Sequence, residues 1–464
     1  MKKTFLLLSL LALTILSYGQ FQDIQCYTVV AGKNTTTTGK VIVAHNEDDY
    51  GNLIVNLYKT PSGFFTSAYK DLIPDDALFN HKPLKTVWFE VTKQKFGDAL
   101  INENGVVICS DACSSREDTA QGQLTYELRR IVAEYARNAR EGVKILGKLV
   151  ETYGYNSSGR TYCIADANEG WLVAVVQGRH WVAQRVPDDK VALIPNYYTI
   201  EEINLDDTVN FLGSKDIISY AQKRGWYNPG EGEFNFRKAY AKPNTLTADW
   251  NIPRHWGGTR LVAKDSFSLQ SHIPFAVVPK EKVSVQTMKN ILSTHYEGTE
   301  LAPNPDKVPN PHKAKPARVC NPGTKISLIV PLHSNTKDDP ENIIFFAPFN
   351  PCIQPYIPIS VTIEDIPQVY QNRPLDQALK YHFYDKANTF QANPLHAFTI
   401  YFKCNTRINK NYWQMQKKAK KYKASLEEKT LKNIEKSKDK AKASTENLMT
   451  VYKKKKMMIS HAKK

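Results

Sequence analysis

The sequence lacks any apolar run long enough to cross a bilayer. The longest run, residues 5–16, is shorter than the roughly 20 apolar residues that a membrane-spanning helix needs. Met1-Lys2-Lys3 precedes this run and Ser17-Tyr18-Gly19 follows it, which is the pattern of a secretory signal peptide. We therefore expect residues 1–19 to be removed on export, and the mature chain to be soluble and periplasmic or secreted.

A paired-cysteine metal motif is also missing. Cys109 and Cys113 have neither a second pair at zinc-ribbon spacing nor histidines nearby, so the sequence predicts no metal site and no cofactor. An odd number of cysteines in an oxidising compartment leaves at least one thiol unpaired. If Cys26 is that thiol, the other six are able to pair in an order that the sequence does not give. The seven are Cys26, Cys109, Cys113, Cys163, Cys320, Cys352 and Cys404.

Most of the chain carries no excess of either charge, although the total is +16. Residues 20–404 contain 41 basic and 41 acidic side chains, whereas residues 405–464 contain 19 basic and 5 acidic ones. The positive charge therefore belongs to a lysine-rich tail, predicted to be a solvated helix or disordered. Its runs at 417–423 and 453–456 suit weak contact with an anionic surface, but few aromatics separate the lysines, so no nucleic-acid partner is predicted.

Alternating and helical patterns divide the rest of the chain into layers. Residues 26–32 and 40–44 predict a β-hairpin, with His45 to Asp49 at the exit of its second arm. Residues 124–153 predict two amphipathic helices, or one that bends near Asn138, and strand patterns return between 162 and 185. Residues 300–323, rich in Pro, Asn and Lys, predict an exposed excursion. Strands, helices and further strands together indicate a layered α/β domain over 26–404.

Cys26 lies six residues after the expected signal cleavage point, at the start of a strand. Its plain interpretation is a buried or disulfide-bonded residue. If residues 20–25 form a short propeptide that is removed, an α-amine with a reference pKa near 8 then lies beside a thiol with a pKa near 8.5. One residue would thus supply both nucleophile and base, which replaces the histidine of a Cys-His pair.

Several segments match a known family in collinear order. They are residues 26–33, 39–48, 101–108, 128–134, 139–143, 153–154, 165–173, 178–189, 195–196, 295–299 and 343–358. In these segments the chain resembles the dipeptidase family of cysteine N-terminal-nucleophile (Ntn) hydrolases, whose relatives include the secernins. The resemblance covers about 26–370 and does not reach the tail.

This resemblance implies a four-layer αββα sandwich whose nucleophile is Cys26, exposed by self-cleavage or by another protease. Asp48 would hold the α-amine and thiol in position; its alternative is a turn residue after a strand. Asn196 would supply a side-chain donor to the oxyanion hole, and a backbone N–H near Ser110 or Asp111 the second one. Pro195-Asn196 also suits a plain turn.

Substrate contacts are predicted at three further positions. Many relatives carry arginine immediately before Asn-Glu-Asp, whereas this chain has His45, followed by Asn46. Arg254 is a candidate for binding a substrate carboxylate through its planar fork, with a solvated surface arginine as the alternative.

The resulting function is an exported cysteine dipeptidase that acts on small peptides through a thioester. An amidase or acylase for non-peptide amides is the alternative within enzymes, because the same nucleophile serves any acyl transfer. A non-catalytic surface-binding protein that uses the basic tail is the alternative from another class. Whether the protein forms a homo-oligomer is left open by the sequence.

Overall fold

A computed structural model of the protein describes residues 25–49, 53–64, 67–92, 99–125, 127–384 and 393–460. The expected signal peptide, and the propeptide apart from Gln25, lie outside these residues. Within them, no helix combines the length and the apolarity that crossing a bilayer requires.

Antiparallel strands form two sheets at the centre of the molecule. In chain order the strands are β1 (Tyr27–Ala31), β2 (Ile42–Asp48), β3 (Val55–Thr60), β4 (Thr86–Val91), β5 (Ala99–Asn102), β6 (Val107–Ala112), β7 (Arg160–Ala165), β8 (Gly170–Val175), β9 (Trp181–Arg185), β10 (Val191–Ile194), β11 (Phe211–Gly213), β12 (Thr324–Pro331), β13 (Ile343–Pro348) and β14 (Ile357–Ser360). The smaller sheet has the order β10-β1-β2-β12-β13-β14, and the larger one β11-β9-β8-β7-β6-β5-β4-β3.

Helices surround the two sheets. They are α1 (Glu127–Tyr135), α2 (Ala139–Tyr153), α3 (Ile217–Lys223), α4 (Phe236–Tyr240), α5 (Ile252–Val262), α6 (Val285–Leu292), α7 (Leu375–Tyr384), α8 (Ala397–Lys410), α9 (Tyr412–Lys436) and α10 (Lys440–Ser460). Helices α1 and α2 pack on the larger sheet, whereas α5 and α6 pack on the smaller one. A third apolar cluster fills the space between the sheets. The predicted αββα order of layers is confirmed.

Local sequence patterns predicted two of these features well. Strands β1 and β2 pair antiparallel, as expected for the hairpin. The helical stretch is two helices, and Asn138 caps the second one by accepting a hydrogen bond from the backbone N–H of Glu141.

Two other predictions need correction. Strand β2 continues through Asp48 because β1 and β12 pair with it on both sides, so residues 45–48 belong to the strand and do not follow it. The excursion at 300–323 is exposed mainly in its first half, since residues 310–312 and 318–321 are buried. Charged residues lie next to this buried portion in the sequence, so the local composition predicts exposure.

The lysine-rich segment is helical up to Ser460, which decides between the helical and disordered alternatives for its described residues. Leu448 and Val451 of α10 are fully buried and join the apolar cluster between the sheets. Helix α10 also contacts the outermost strand of the smaller sheet. The Ser360 N–H donates to Ser444 Oγ at 2.8 Å, and Asn447 Nδ2 donates to the carbonyl of Pro358 at 3.0 Å.

Candidate active site

Cys26 immediately precedes β1, which lies between β10 and β2 in the smaller sheet, and the residue is 1% exposed. Side chains of a strand alternate between its faces. Thr28 on β1 and its partner His45 on β2 point towards the larger sheet, as does Glu47 two residues further on. The inner face of the smaller sheet therefore gathers polar groups beside the Cys26 thiol.

The thiol contacts two groups on β2. Its Sγ donates to Glu47 Oε1 at 3.2 Å and lies 3.6 Å from the backbone carbonyl oxygen of Asp48. Burial, and then the negative charges of nearby carboxylates, of which Glu47 acts most strongly, raise the pKa of Cys26 well above its ordinary value. In the full chain Cys26 is thus a protonated thiol that needs a base before it can attack.

Glu47 connects this thiol to a buried polar chain. Glu47 Oε2 lies 3.2 Å from His45 Nε2, and His45 Nδ1 lies 2.7 Å from Thr28 Oγ1. The Thr28 hydroxyl donates to Asp111 Oδ2 on β6, which joins the two sheets. Because the single hydroxyl proton goes to Asp111, the His45 Nδ1 must donate to Thr28.

Two members of this chain, His45 and Asp111, have shifted pKa values. Burial alone disfavours the imidazolium, but Cys109 and two carboxylates outweigh it and raise the pKa of His45 well above its ordinary value. Burial raises the pKa of Asp111 to about 7, against the influence of His45 and the Thr28 hydrogen bond. The two ring nitrogens of His45 face the Thr28 oxygen and the Glu47 carboxylate, so both are placed to donate when the ring is protonated.

Asp48 lies next to the thiol through its backbone, and its carboxylate has a separate partner. The amide of Asn321 donates to Asp48 Oδ2. Burial raises the pKa of Asp48 to about 7, although the neighbouring Thr324, the hydrogen bond from Asn321 and the charge of Arg254 work in the opposite direction. Near neutral pH this carboxyl group can therefore change its protonation state.

Arg254 holds the peptide unit on both sides of Cys26. Its Nη1 donates to the carbonyl oxygen of Gln25 at 2.6 Å and to that of Cys26 at 2.9 Å. Its side chain is 0% exposed, so the surface alternative is wrong. Helix α5 can bring this guanidinium so close because Gly258 faces β1; a Cβ there would lie 2.0 Å from Tyr27 Oη.

The same guanidinium orients Asn196, on the loop after β10. Arg254 Nη2 donates to Asn196 Oδ1 at 2.6 Å and to Asn251 Oδ1 at 3.0 Å. Asn196 Nδ2 donates to the carbonyl of Ala112 at 3.0 Å. An amide nitrogen carries two N–H bonds, so Asn196 can offer a second hydrogen to another acceptor.

The structure brings Cys26, His45, Asp48, Asp111, Asn196 and Arg254 together but does not add every predicted residue. Asn46 lies on the opposite face of β2, where its amide binds the carbonyls of Leu292 and Val319, because neighbouring strand residues face opposite ways. The Ser110 hydroxyl likewise turns outwards to Arg129 and Arg160, which leaves only its backbone near the site. Glu47 was missed, although alternation from His45 could have indicated it.

The sequence of this chain is similar to those of known peptidases. A sequence model of peptidase family C69 matches residues 25–411. A "Probable dipeptidase" of Latilactobacillus sakei is 26% identical over 383 residues, which cover 76% of this chain and 78% of that protein. A "Probable dipeptidase" of Salmonella dublin is 27% identical over 314 residues, which cover 63% of this chain and 71% of that protein.

Two solved hydrolase structures also match the chain, at low sequence identity. An N-acylethanolamine-hydrolyzing acid amidase orthologue of Caenorhabditis elegans matches 68% of this chain and 95% of its own, with 11% identity and a TM-score of 0.32. A mutant conjugated bile acid hydrolase of Clostridium perfringens matches 80% of this chain and 99% of its own, with 9% identity and a TM-score of 0.33.

Proposed function

This chain belongs to peptidase family C69, and we propose that it is a dipeptidase whose nucleophile is the thiol of Cys26. Relatives matched over most of their length bear the name dipeptidase, which supports small peptides as substrates. One observation carries the proposal. The peptide bond that precedes Cys26 is held by a buried guanidinium, beside a thiol that contacts Glu47 at 3.2 Å.

This arrangement supports self-cleavage as the route of maturation. Glu47, which accepts the thiol hydrogen bond, takes the proton while Cys26 Sγ attacks the carbonyl carbon of Gln25. The C–N bond breaks, and the proton passes to the Cys26 nitrogen, which becomes an α-amine. Water then hydrolyses the thioester, which releases the segment that ends in Gln25 and restores the thiol. Arg254 Nη1, 2.6 Å from the Gln25 oxygen, supports this step because it stabilises the negative charge that develops there.

Dipeptide hydrolysis uses the amine that maturation creates. The α-amine accepts the thiol proton while Sγ attacks the substrate carbonyl carbon, and it then donates a proton to the departing amino group. The acyl half stays on Cys26 as a thioester. The same amine deprotonates a water molecule, which hydrolyses this thioester. The N-terminal amino acid of the dipeptide is then released. Asp48, whose backbone oxygen lies 3.6 Å from Sγ, supports the positioning of these groups.

The developing oxyanion needs at least two donors in this scheme. Asn196 offers its second Nδ2 hydrogen, since one is used by Ala112. A backbone N–H near Ser110 or Asp111 is the other donor. Once the segment that ends in Gln25 has left, Arg254 Nη1 loses one of its two acceptors and becomes available to the substrate.

Export completes the proposal. The signal-peptide pattern at 1–19 favours a periplasmic or secreted enzyme. Sequencing the N-terminus of protein recovered from cell fractions tests this point. Recovery only of intracellular protein that begins at Met1 would exclude export.

The central test compares wild type, Cys26→Ala and Cys26→Ser, with Cys404→Ser as a buried-cysteine control. Mass spectrometry reports the N-terminal residue, and release of free amino acids from a dipeptide panel reports activity. We expect wild type and Cys404→Ser to begin at Cys26 and to hydrolyse dipeptides. Cys26→Ala is expected to keep residue 25 and to lose activity by at least a thousandfold.

Several outcomes would reject the proposal. One is full turnover by Cys26→Ala, and another is wild type that begins at Gln20 and still cleaves dipeptides. Hydrolysis of acylated amino acids with no hydrolysis of dipeptides would favour the amidase alternative. A correctly matured wild type without any amide hydrolysis would favour a binding protein.

A further inference from the structure

Four buried side chains that the proposed function does not use meet at the outer side of the smaller sheet. They are His295, His312, Cys320 and Cys352, and one ligand-type atom from each lies within 4.8 Å of all the others. His295 follows α6, His312 lies in the turn Pro311–Lys313, Cys320 precedes β12 and Cys352 follows β13. We refer to these four residues as the His-Cys cluster.

The separations within the cluster are close to those of a tetrahedral metal site. With Zn–S near 2.3 Å and Zn–N near 2.0 Å, tetrahedral ligand atoms lie roughly 3.3–3.8 Å apart. His312 Nε2 is 3.1 Å from Cys352 Sγ, and the rings of His295 and His312 are 4.9 Å apart in an edge-on arrangement. Closing around an ion therefore needs side-chain movements of only about 1 Å.

Glu297 orients one of the two imidazoles. Its Oε1 lies 2.9 Å from His295 Nδ1, and its Oε2 accepts the His295 backbone N–H at 2.9 Å. The remaining ring nitrogen, Nε2, is buried and has no partner of ordinary geometry among the described residues. A histidine that binds a metal through one ring nitrogen usually donates a hydrogen bond from the other nitrogen to a carboxylate, which fixes the orientation of the ring.

We propose that the His-Cys cluster is a structural zinc site. Two thiolates neutralise a divalent cation once their protons leave to solvent, so the filled site carries no net charge into the apolar interior. Imidazole and thiolate suit zinc, whereas magnesium and calcium require oxygen ligands. Four protein ligands leave no open position, which identifies the role as structural. The prediction of no metal site rested on the spacing of Cys109 and Cys113, and the His-Cys cluster uses neither.

Zinc here would tie together parts of the chain that are far apart in sequence. Cys320 is followed by Asn321, whose amide binds the carboxylate of Asp48 in the active site. Cys352 contacts the tail, since the hydroxyl oxygen of Tyr412, the first residue of α9, lies 3.9 Å from Cys352 Sγ. An open cleft of about 530 Å³, whose lining includes Cys352, provides a path for the ion.

The test measures metal in the full chain, produced without a polyhistidine tag and purified without chelators. Elemental mass spectrometry is expected to find about one zinc per chain. Replacement of zinc by Co²⁺ is expected to give intense visible d–d bands and thiolate-to-cobalt charge-transfer bands, since both need tetrahedral sulfur ligation. These two readouts use wild-type protein and do not depend on activity.

Variants assign the metal to its ligands. Cys320→Ser and His312→Asn are expected to lower zinc content at least tenfold, whereas Cys404→Ser, which removes another buried thiol, keeps it. Glu297→Ala is expected to weaken zinc affinity by about 10–100-fold in a chelator competition. Glu300→Ala, an exposed carboxylate three residues away, is the matched control and is expected to bind normally.

Three results would overturn the assignment. Wild type that holds no zinc, and takes up neither Zn²⁺ nor Co²⁺ after reduction, has no such site. A Cys320 to Cys352 disulfide in freshly purified protein, detected by peptide mapping without reduction, would give the two thiols another role. Unchanged zinc content in both Cys320→Ser and His312→Asn would place the metal elsewhere. Dipeptidase activity has no part in these outcomes, so they are independent of the proposed function.

Discussion

Arg254 Nη1 lies 2.6 Å from the carbonyl oxygen of Gln25, so a buried charge holds the peptide bond that the proposed maturation cleaves. Lysine at this position keeps the charge but cannot reach the carbonyls of Gln25 and Cys26 and the Asn196 amide together. We expect Arg254→Lys to slow maturation about 100-fold or more, in line with the loss of one oxyanion donor. Mass spectrometry of the N-terminus over time measures this rate.

Arg260, on the same helix, provides the control for this variant. It donates to the Glu297 carbonyl and is not among the contacts of Cys26, so Arg260→Lys is expected to mature at the wild-type rate. Normal maturation of Arg254→Lys would show that the guanidinium does not assist the cleavage.

The buried Asp111 predicts a pH dependence of stability. Because burial raises its pKa to about 7, the folded state keeps a proton that the unfolded chain releases near pH 4. The stability that this proton contributes is complete below about pH 4 and is lost as the pH rises through about 7. Relative to wild type, Asp111→Asn should therefore gain stability between these values, by up to about 4 kcal/mol.

Urea unfolding at several pH values measures this difference. Asp249→Asn, at an exposed position, is expected to follow wild type throughout. Asp48 remains in both proteins with a pKa near 7, so the variant should retain part of the slope. Parallel curves for Asp111→Asn and wild type would contradict the raised pKa.

Gly258 permits the close approach of α5 to β1. An added Cβ would lie 2.0 Å from Tyr27 Oη and 3.0 Å from Leu193, so Gly258→Ala must displace the buried Tyr27 side chain next to Cys26. We expect a loss of about 1–3 kcal/mol in unfolding free energy, together with lower dipeptidase activity. Gly230→Ala, where the nearest heavy atom is 3.4 Å away, should behave as wild type in thermal unfolding and activity assays.

Helix α10 is expected to contribute to the stability of the whole domain. Leu448 is 0% exposed and belongs to the cluster between the sheets. Leu448→Ala should therefore cost about 2–5 kcal/mol, measured by urea unfolding. Lys453→Ala, at an exposed position on the same helix, should change little. A negligible effect of Leu448→Ala would mean that the helix is not part of the folded core.

Sequence patterns predicted what depends on neighbouring residues. The hairpin of β1 and β2 and the two helices around Asn138 follow from alternation, helical spacing and a capping residue. The end of β2 was placed too early because β12, which pairs with residues 42–48, comes almost 300 residues later. Pairing between such distant strands leaves no mark in either local pattern.

The candidate site was predicted through its family motifs more than through its chemistry. Glu47 was not predicted, because the Asn-Glu-Asp motif does not distinguish it from Asp48, and only alternation along β2 shows which carboxylate faces the thiol. The His-Cys cluster could not be predicted from spacing, since its members lie at 295, 312, 320 and 352 in separate loops. Tertiary packing alone brings them together.

Strand β14 is the last in its sheet, and an open sheet edge is a template on which another chain can add a strand. Ser444 and Asn447 occupy backbone groups of this edge, as a neighbouring strand would. We therefore expect the lysine-rich segment to reduce edge-to-edge aggregation, because it covers this edge and its net charge repels other copies. Both features of the segment, the side chains that bind this edge and the net positive charge, oppose association between copies of the protein.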